Sequence, residues 1–307
     1  MTSAVVFAYH NVGVRCLSVL LAHGIDVKLV VTHEDAAGEN IWFGSVRALA
    51  QEHGIPVVTP ADPHDEATMV LLRAAQPDFL FSFYYRSMLK PAILGIPRRG
   101  GYNMHGSLLP KYRGRVPINW AVLHGETESG ATLHEMVEKP DAGRIVDQMP
   151  VPILPDDTAQ DVFAKVLVAA EIVLHRALPA LIDGSAVLRP MNLQQGSYFG
   201  GRKAEDGRID WSRPAAAIHN LVRAVTHPYP GAFSDLRDGR LVIWRTLPTA
   251  ERGAPGRPSL FAVDGHLVVR CADGVIMKLL AAELNGVPLG ADLFRVRFGG
   301  AELPLTA

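Results

Sequence analysis

"AVVFAYHNVGVRCLSVLLAHGIDVKLVVTH", residues 4–33, is the stretch whose reading decides the fold. It opens on a short β-branched and aromatic run, "AVVFAY". "VRCLSVLLAHG" follows with apolar residues at helical spacing and stops at Gly24, the residue type that ends helices in the left-handed conformation. "DVKLVVTH" then returns to a strand pattern. One strand, one helix and one strand in this length is the unit that crosses over between parallel strands. Working outward, the rhythm repeats: "FGSVRALAQEHG" reads as a helix ending at Gly54, "IPVVTP" as a strand, "DEATMVLLRAAQ" as a helix and "DFLFSF" as a strand. Such alternation predicts an α/β fold with a mostly parallel sheet covered on both faces, and ligands in such sheets sit beyond the carboxyl ends of the strands. By that rule the strand ends at 8–11, 32–34, 82–86 and 103–107 converge on one crevice.

The second half changes character. Residues 156–184, "DDTAQDVFAKVLVAAEIVLHRALPALIDG", read as one long helix with a capping box from Thr158 to Asp161, a buried apolar stripe and a stop at Gly184. Beyond about residue 190 come a turn-rich segment, the helix "AAAIHNLVRAV", and short strands split by Gly and Pro: "RLVIWRTL", "LFAVDG", "HLVVRCADG" and "VIMKLLAAEL". Strands at that spacing predict a small β-barrel of OB-like type. The expected division is a catalytic domain over residues 1–190 and a barrel-like domain over 191–307.

Composition narrows the function classes. Lys and Arg number 30 against 31 Asp and Glu, a formal net charge of −1, so no overall positive field gathers nucleic acid or an anionic membrane. Small molecules are the default partners. Cys16 and Cys271 are the only cysteines, too few for a disulfide framework. The N-terminus lacks a basic start, and no apolar run reaches the roughly 20 residues of a membrane span. These features predict a cytoplasmic protein. The twelve histidines show no His-x-x-x-His pattern and the cysteines no Cys-x-x-Cys pattern, so no metal site is expected. His134-Glu135 reads as structural.

The candidate chemistry lies in "YNMHGSLLPKYRGRVPINW", residues 102–120. Asn103 and His105, two apart at a strand end, point the same way before the chain breaks at Pro110. Imidazole moves protons near neutral pH. A carboxamide N–H can stabilise negative charge developing on a carbonyl oxygen. Asp141, on the tight turn "EKPDAG", is the best candidate for a carboxylate that orients the imidazole and holds its proton. The three together suit a tetrahedral intermediate. None is a good covalent nucleophile here, so the attacking group is expected to be a substrate amine.

Residues 103–143, "NMHGSLLPKYRGRVPINWAVLHGETESGATLHEMVEKPDAG", resemble the signature region of the 10-formyltetrahydrofolate-dependent formyltransferases. The similarity extends through "VVFAYH", "FSFYYR", "FGGRK" and "IHNLVRAVTHPYPGAFS", covering residue 4 to about 245. The resemblance implies a Rossmann-like catalytic domain followed by a small barrel. It implies that Asn103 steadies the oxyanion, that His105 handles the amine proton and that Asp141 raises the His105 pKa. It places the folate against Ser87, Met88 and Leu89, against Arg115, and against the turn of Val137, Glu138, Lys139, Pro140 and Asp141. Tyr9 and Arg202, the latter within "FGGRK", fall to the sugar-nucleotide side.

Within that family the sequence is most similar to members that formylate UDP-4-amino-4-deoxy-L-arabinose for lipid A modification and polymyxin resistance. "RGRVP" puts Arg115 beside the site where tRNA-formylating members usually carry "RGAAP", and the stretch "THEDAAGENIWFG" is short and acidic where those members carry a basic loop. Phosphate contacts for a tRNA are correspondingly hard to find. Methionyl-tRNA formyltransferase, or a formyltransferase for another nucleotide-linked amino sugar, is the alternative. Arg113, Arg115 and Arg202 are candidates for a diphosphate or the folate glutamate tail, with surface ion pairing as their other role. Tyr84, Tyr85 and Trp42 are candidates to stack on a uracil or pterin ring, with core packing as theirs. The members that act on aminoarabinose carry a C-terminal dehydrogenase-decarboxylase. "AYHNVG" is not a dinucleotide-binding turn, so that oxidative step is expected from a separate protein acting upstream.

Overall fold

The structure is a computed structural model that describes residues 1–36, 38 and 40–305. Glu39 of the acidic stretch and the last two residues of the expected second domain lie outside the described residues. Contacts divide the chain into two compact units. The first comprises Met1–Pro117, Glu128–Pro152 and Phe163–Gly200; the second comprises Ile118–Thr127, Ile153–Val162 and Gly201–Ala307.

The alternation read from the sequence is present from the start: β1 (Ser3–Ala8), α1 (His10–Ala22), β2 (Asp26–Val31), α2 (Val46–Glu52), β3 (Val57–Val58), α3 (Glu66–Ala75), β4 (Phe79–Phe83), α4 (Pro91–Leu94) and β5 (Gly101–His105). Next come β6 (Arg113–Gly114), α5 (Pro117–Leu123), β7 (Glu128–Glu135), β8 (Ile145–Pro152), α6 (Ala159–Asp183) and β9 (Tyr198–Phe199). The main sheet of the first unit has the order β3-β2-β1-β4-β5-β7-β8. Its first five strands run parallel, whereas β7 is antiparallel to β5 and to β8. β1 and β4 are buried along their whole length, as strands covered on both faces must be. On one face Val5, Phe7, Leu29, Val31 and Leu80 pack with Met69 and Leu72 of α3 and with Leu89 and Ile93. Each such side chain contributes roughly 1.5–3 kcal/mol by leaving water.

The capping box expected at the head of α6 forms: Thr158 N donates to Asp161 Oδ2 at 2.9 Å, and Asp161 N donates to Thr158 Oγ1 at 3.2 Å. Two orphan donors of the first turn are thereby satisfied. Gly184, at φ 83°, stops the helix as read.

The second unit packs α7 (Ala215–Val225) on β10 (Ala232–Leu236), β11 (Gly239–Arg252), β12 (Ser259–Val263), β13 (His266–Arg270), β14 (Val275–Leu284), β15 (Val287–Pro288), α8 (Ala291–Phe298) and β16 (Leu303–Pro304). Its antiparallel sheet runs β10-β11-β14-β13-β12-β16, with β15 on β14. β11 is 14 residues long, and its register against β14 shifts near Ile243, Arg245 and Pro248. Bulges of this kind bend a strand and raise its twist, so the sheet curls in the manner of a small barrel. Ile218 and Val222 of α7 and Trp211 fill its core, and the indole Nε1 donates to Ser234 Oγ at 3.0 Å. Among the described residues no helix is long and apolar enough to cross a membrane.

Candidate active site

Strand register assembles the site. Asn103 and His105 lie on one face of β5, and β7 runs antiparallel beside it with His134 opposite Asn103 and Thr132 opposite His105. Residues directly opposite on an antiparallel pair share a face, so all four side chains belong to one patch. His134 Nε2 lies 3.1 Å from Asn103 Nδ2. Thr132 Oγ1 donates to the Ser107 carbonyl at 2.6 Å and accepts from Leu109 N at 3.1 Å and from Gln148 Nε2 at 2.8 Å. Ser107 Oγ donates to the Lys111 carbonyl at 2.7 Å. These bonds fix the turn that leaves β5, and the turn brings the Tyr112 carbonyl to 2.8 Å from His105 Nε2.

Asp141 reaches the patch from the connection between β7 and β8. Its φ of 48° is left-handed, a conformation Asp adopts more readily than most residues. Glu135 N bonds the Arg144 carbonyl at 2.9 Å and closes the base of that loop. Gly143 sits so near that a Cβ there would fall 1.9 Å from the Glu135 oxygen. Asp141 Oδ2 accepts from Gly114 N at 2.8 Å. Its Oδ1 lies 3.7 Å from His105 Nδ1 and 3.5 Å from His134 Nε2.

The charge states follow. A backbone carbonyl can only accept, so the hydrogen bond to Tyr112 puts the His105 proton on Nε2 and leaves the Nδ1 lone pair facing Asp141. His105 is 6 % exposed. Burial pushes its pKa below the ordinary imidazole value; Asp141 and the Tyr112 carbonyl pull the other way, and burial prevails. Asp141 does raise the His105 pKa, as expected, but the net displacement is downward. For Asp141 burial again is the largest effect, acting upward. The positive charge that His105 and His134 can carry, together with the Gly114 N–H, outweighs it and holds the carboxyl well below the usual carboxylate range. A neutral imidazole with an open nitrogen therefore stands beside an ionised carboxylate.

A cavity of about 530 Å³ opens here, large enough for a small-molecule ligand. Asn103, His105, His134 and Asp141 line it, together with Ser87, Met88, Leu89, Arg115, Val137 and Pro140 of the folate set read from the sequence. Glu138 and Lys139 are exposed and off its lining. Tyr84 and Tyr85 also line it; the Tyr85 ring stacks on His33 at 4.1 Å, and its hydroxyl is buried without a hydrogen-bond partner. Trp42 is off the lining and packs edge-on against His10 at 4.6 Å. Of the four strand ends expected to converge, those after β4 and β5 line the cavity. The other two adjoin it: His33 Nε2 accepts from Arg86 N at 3.0 Å, and the Arg86 guanidinium lies 4.4 Å over the Tyr9 ring.

The structure does not bring the two sugar-side residues to that lining. Tyr9 is 4 % exposed and donates its hydroxyl to Asp35 Oδ1 at 2.7 Å. Arg202 belongs to the second unit, where its guanidinium covers the Trp120 ring at 4.8 Å and donates to the Asp206 carbonyl at 2.8 Å. Sequence reading missed His134 in the site. "ATLHEM" carries a strand pattern, yet only the pairing of β7 with β5 puts its histidine opposite Asn103. Among the described residues no group of three or more His, Cys, Asp or Glu could hold a metal ion.

Comparison with known proteins identifies the family and the fold. The formyl transferase family model matches residues 15–178, and the model of the formyl transferase C-terminal domain matches residues 202–292. Among solved structures, the chain is similar to an N-formyltransferase from Helicobacter canadensis in complex with folinic acid and dTDP-3-aminofucose. The TM-score is 0.73 at 23% identity, covering 91% of this chain and 99% of that one. It is also similar to WlaRD, a sugar 3N-formyl transferase solved with dTDP and 5-N-formyl-THF (TM-score 0.71, 22% identity, 91% and 97% covered). HypX from Aquifex aeolicus, in complex with tetrahydrofolic acid, matches at TM-score 0.63 and 17% identity, over 96% of this chain and 47% of HypX. At these identities the likeness is one of fold.

Proposed function

Because the chain belongs to the formyl transferase family, we propose that it moves the formyl group of 10-formyltetrahydrofolate onto the amine of a nucleotide-linked amino sugar, UDP-4-amino-4-deoxy-L-arabinose first. The observation that carries this reading is the meeting of Asn103, His105 and Asp141 on one cavity wall, with an unprotonated imidazole nitrogen beside a carboxylate. The cavity volume and the orphaned Tyr85 hydroxyl suit a folate headgroup, which offers both a flat ring and polar edges. Ser87, Met88, Leu89, Arg115, Val137 and Pro140 would hold it.

In this reading the neutral sugar amine attacks the formyl carbon, and the carbonyl electron pair moves to oxygen. The Asn103 carboxamide donates to that oxyanion. His105 Nδ1 takes a proton from the attacking nitrogen, and Asp141 stabilises the imidazolium that results. As the oxygen re-forms its double bond, the bond to N10 breaks and His105 returns its proton to the departing tetrahydrofolate nitrogen. No residue is acylated and no redox partner is needed. The formal net charge of −1 favours a small acceptor over a tRNA. A dTDP-linked amino sugar is the second reading, favoured by the ligand of the Helicobacter canadensis relative.

The test offers a panel of UDP- and dTDP-amino sugars and charged initiator tRNA with 10-formyltetrahydrofolate, read by mass. A formylated UDP-aminoarabinose supports the first reading, formylation confined to a dTDP sugar moves the assignment to the second, and formylated tRNA alone discards both. His105→Ala is expected to lose roughly 10²–10⁴ in rate while still binding folate. Near-normal turnover in that variant removes the role given to His105.

A further inference from the structure

We propose that His134 is a positioning residue that sets which way the Asn103 carboxamide faces, an inference that rests on the oxyanion role given to Asn103 above. His134 is 1 % exposed and stands opposite Asn103 across the β5–β7 ladder. Its Nδ1 lies 2.9 Å from the Glu135 carbonyl, an oxygen that can only accept, so Nδ1 carries the ring proton. In the neutral ring Nε2 is then an acceptor. It meets Asn103 Nδ2 at 3.1 Å, closer than the 3.5 Å to Asp141 Oδ1. Asp141 is already supplied with a backbone donor by Gly114 N at 2.8 Å.

An acceptor at Nε2 therefore selects the amide nitrogen for that place. Nδ2 carries two hydrogens; one goes to His134, and the second remains for a ligand in the cavity that Asn103 lines. A donor at Nε2 would reverse the carboxamide and put an oxygen lone pair where the second N–H now points. That lone pair would repel an oxyanion. His134 thus makes no contact with reacting atoms in this scheme, yet it decides whether the group that does is a donor or an acceptor.

The histidine tautomer is read directly in the wild-type protein by long-range 15N–1H correlation at neutral pH. The expected signature is a protonated Nδ1 and an unprotonated Nε2; a protonated Nε2 overturns the proposal whatever the variants do. Kinetics with 10-formyltetrahydrofolate and the accepted member of the sugar panel supply the second arm. His134→Leu, which offers no acceptor, is expected to lose about 10–10² in kcat with the KM for folate within about twofold. His134→Gln, whose amide oxygen can take the place of Nε2, is expected to recover most of that loss. In the Asn103→Ala background His134→Leu should add little, because partners acting through one group are not additive. Equal kcat in the Leu and Gln variants, or full additivity in the double variant, sinks the proposal. Should the Leu variant fail to fold, the tautomer measurement decides alone. If Asn103→Ala itself turns over at the wild-type rate, the oxyanion reading fails instead, and the two failures are told apart.

Discussion

Asp141→Asn isolates one charge and leaves the shape of the site intact. Asn tolerates the left-handed φ of 48° at this position, and its amide oxygen can still accept from Gly114 N. What disappears is the negative charge 3.7 Å from His105 Nδ1. At an effective dielectric of about 20, two unit charges at that separation attract by roughly 4 kcal/mol. One factor of ten in rate corresponds to about 1.4 kcal/mol, so the ceiling on the loss is about three powers of ten. The Asp141 side chain is 15 % exposed, which leaves some solvent screening, and the amide dipole replaces part of the attraction. The expected fall in kcat is therefore roughly 10²–10³. The pH profile carries an independent sign. Burial already holds the His105 pKa below its ordinary value of about 6.5, so the acid limb of the wild-type profile lies below that pH. Removing Asp141 removes an influence that raises the His105 pKa, and the acid limb must move to still lower pH while the plateau drops. Release of tetrahydrofolate, followed by absorbance from about pH 4 to 9, measures both. A plateau within about fivefold of wild type, or an acid limb that moves upward, refutes the electrostatic account of this site.

Further outcomes follow from the same contacts. Asn103→Ala should lower kcat by roughly 10²–10³ with folate affinity unchanged in calorimetry; loss of folate binding would make it a binding residue instead. Thr132→Val removes the hydroxyl shared by Ser107, Leu109 and Gln148 and should cost about 1–3 kcal/mol in denaturant unfolding, because buried donors are left unpaired. Gly143→Ala puts a Cβ 1.9 Å from the Glu135 oxygen, so the loop must shift and carry Asp141 off His105; turnover should fall at least tenfold, and retained activity would contradict the close packing. Asp141 has a folded pKa depressed below its unfolded value near 3.9, so its stabilisation is present above that pH and lost as pH falls below it. Denaturation midpoints of Asp141→Asn should accordingly fall less steeply than wild type below about pH 4, and parallel curves would count against an ionised, paired carboxylate.

The parallel half of the sheet and most of the site were legible in the sequence because they are local. Short β-branched and aromatic runs mark β1, β2 and β4, the helices between them stop at Gly24 and Gly54, and the i, i+2 spacing of Asn103 and His105 is a property of one strand. The long helix and its Thr158–Asp161 capping box were readable for the same reason. His134 was read as structural because its role lives in a register. A strand pattern in "ATLHEM" says nothing about which neighbour it pairs with or in which direction. The Tyr112 carbonyl was equally invisible, since a backbone oxygen leaves no mark in a one-letter code. Nor could spacing have ranked the two influences on His105: the carboxylate is written in the sequence, while the burial that outweighs it belongs to the packed fold.

The antiparallel strand explains why a cavity exists here at all. Successive parallel strands need a crossover, and its helix covers the sheet, as α3 covers the face of β1, β2 and β4. Between β7 and β8 the antiparallel step requires only a short connection, and that connection is free to fold back over the ladder as a loop. The lining bears this out: residues 114–116 and the turn ending at Asp141 stand where a covering helix would otherwise bury Asn103 and His105. Loops leave gaps that a helix would fill with side chains, and they offer backbone N–H groups such as Gly114 to a carboxylate. A buried patch of two imidazoles, a carboxamide and a carboxylate is costly in a dry interior. It persists because backbone groups fix its members: the Glu135 carbonyl for His134, the Tyr112 carbonyl for His105, and the Gly114 N–H for Asp141.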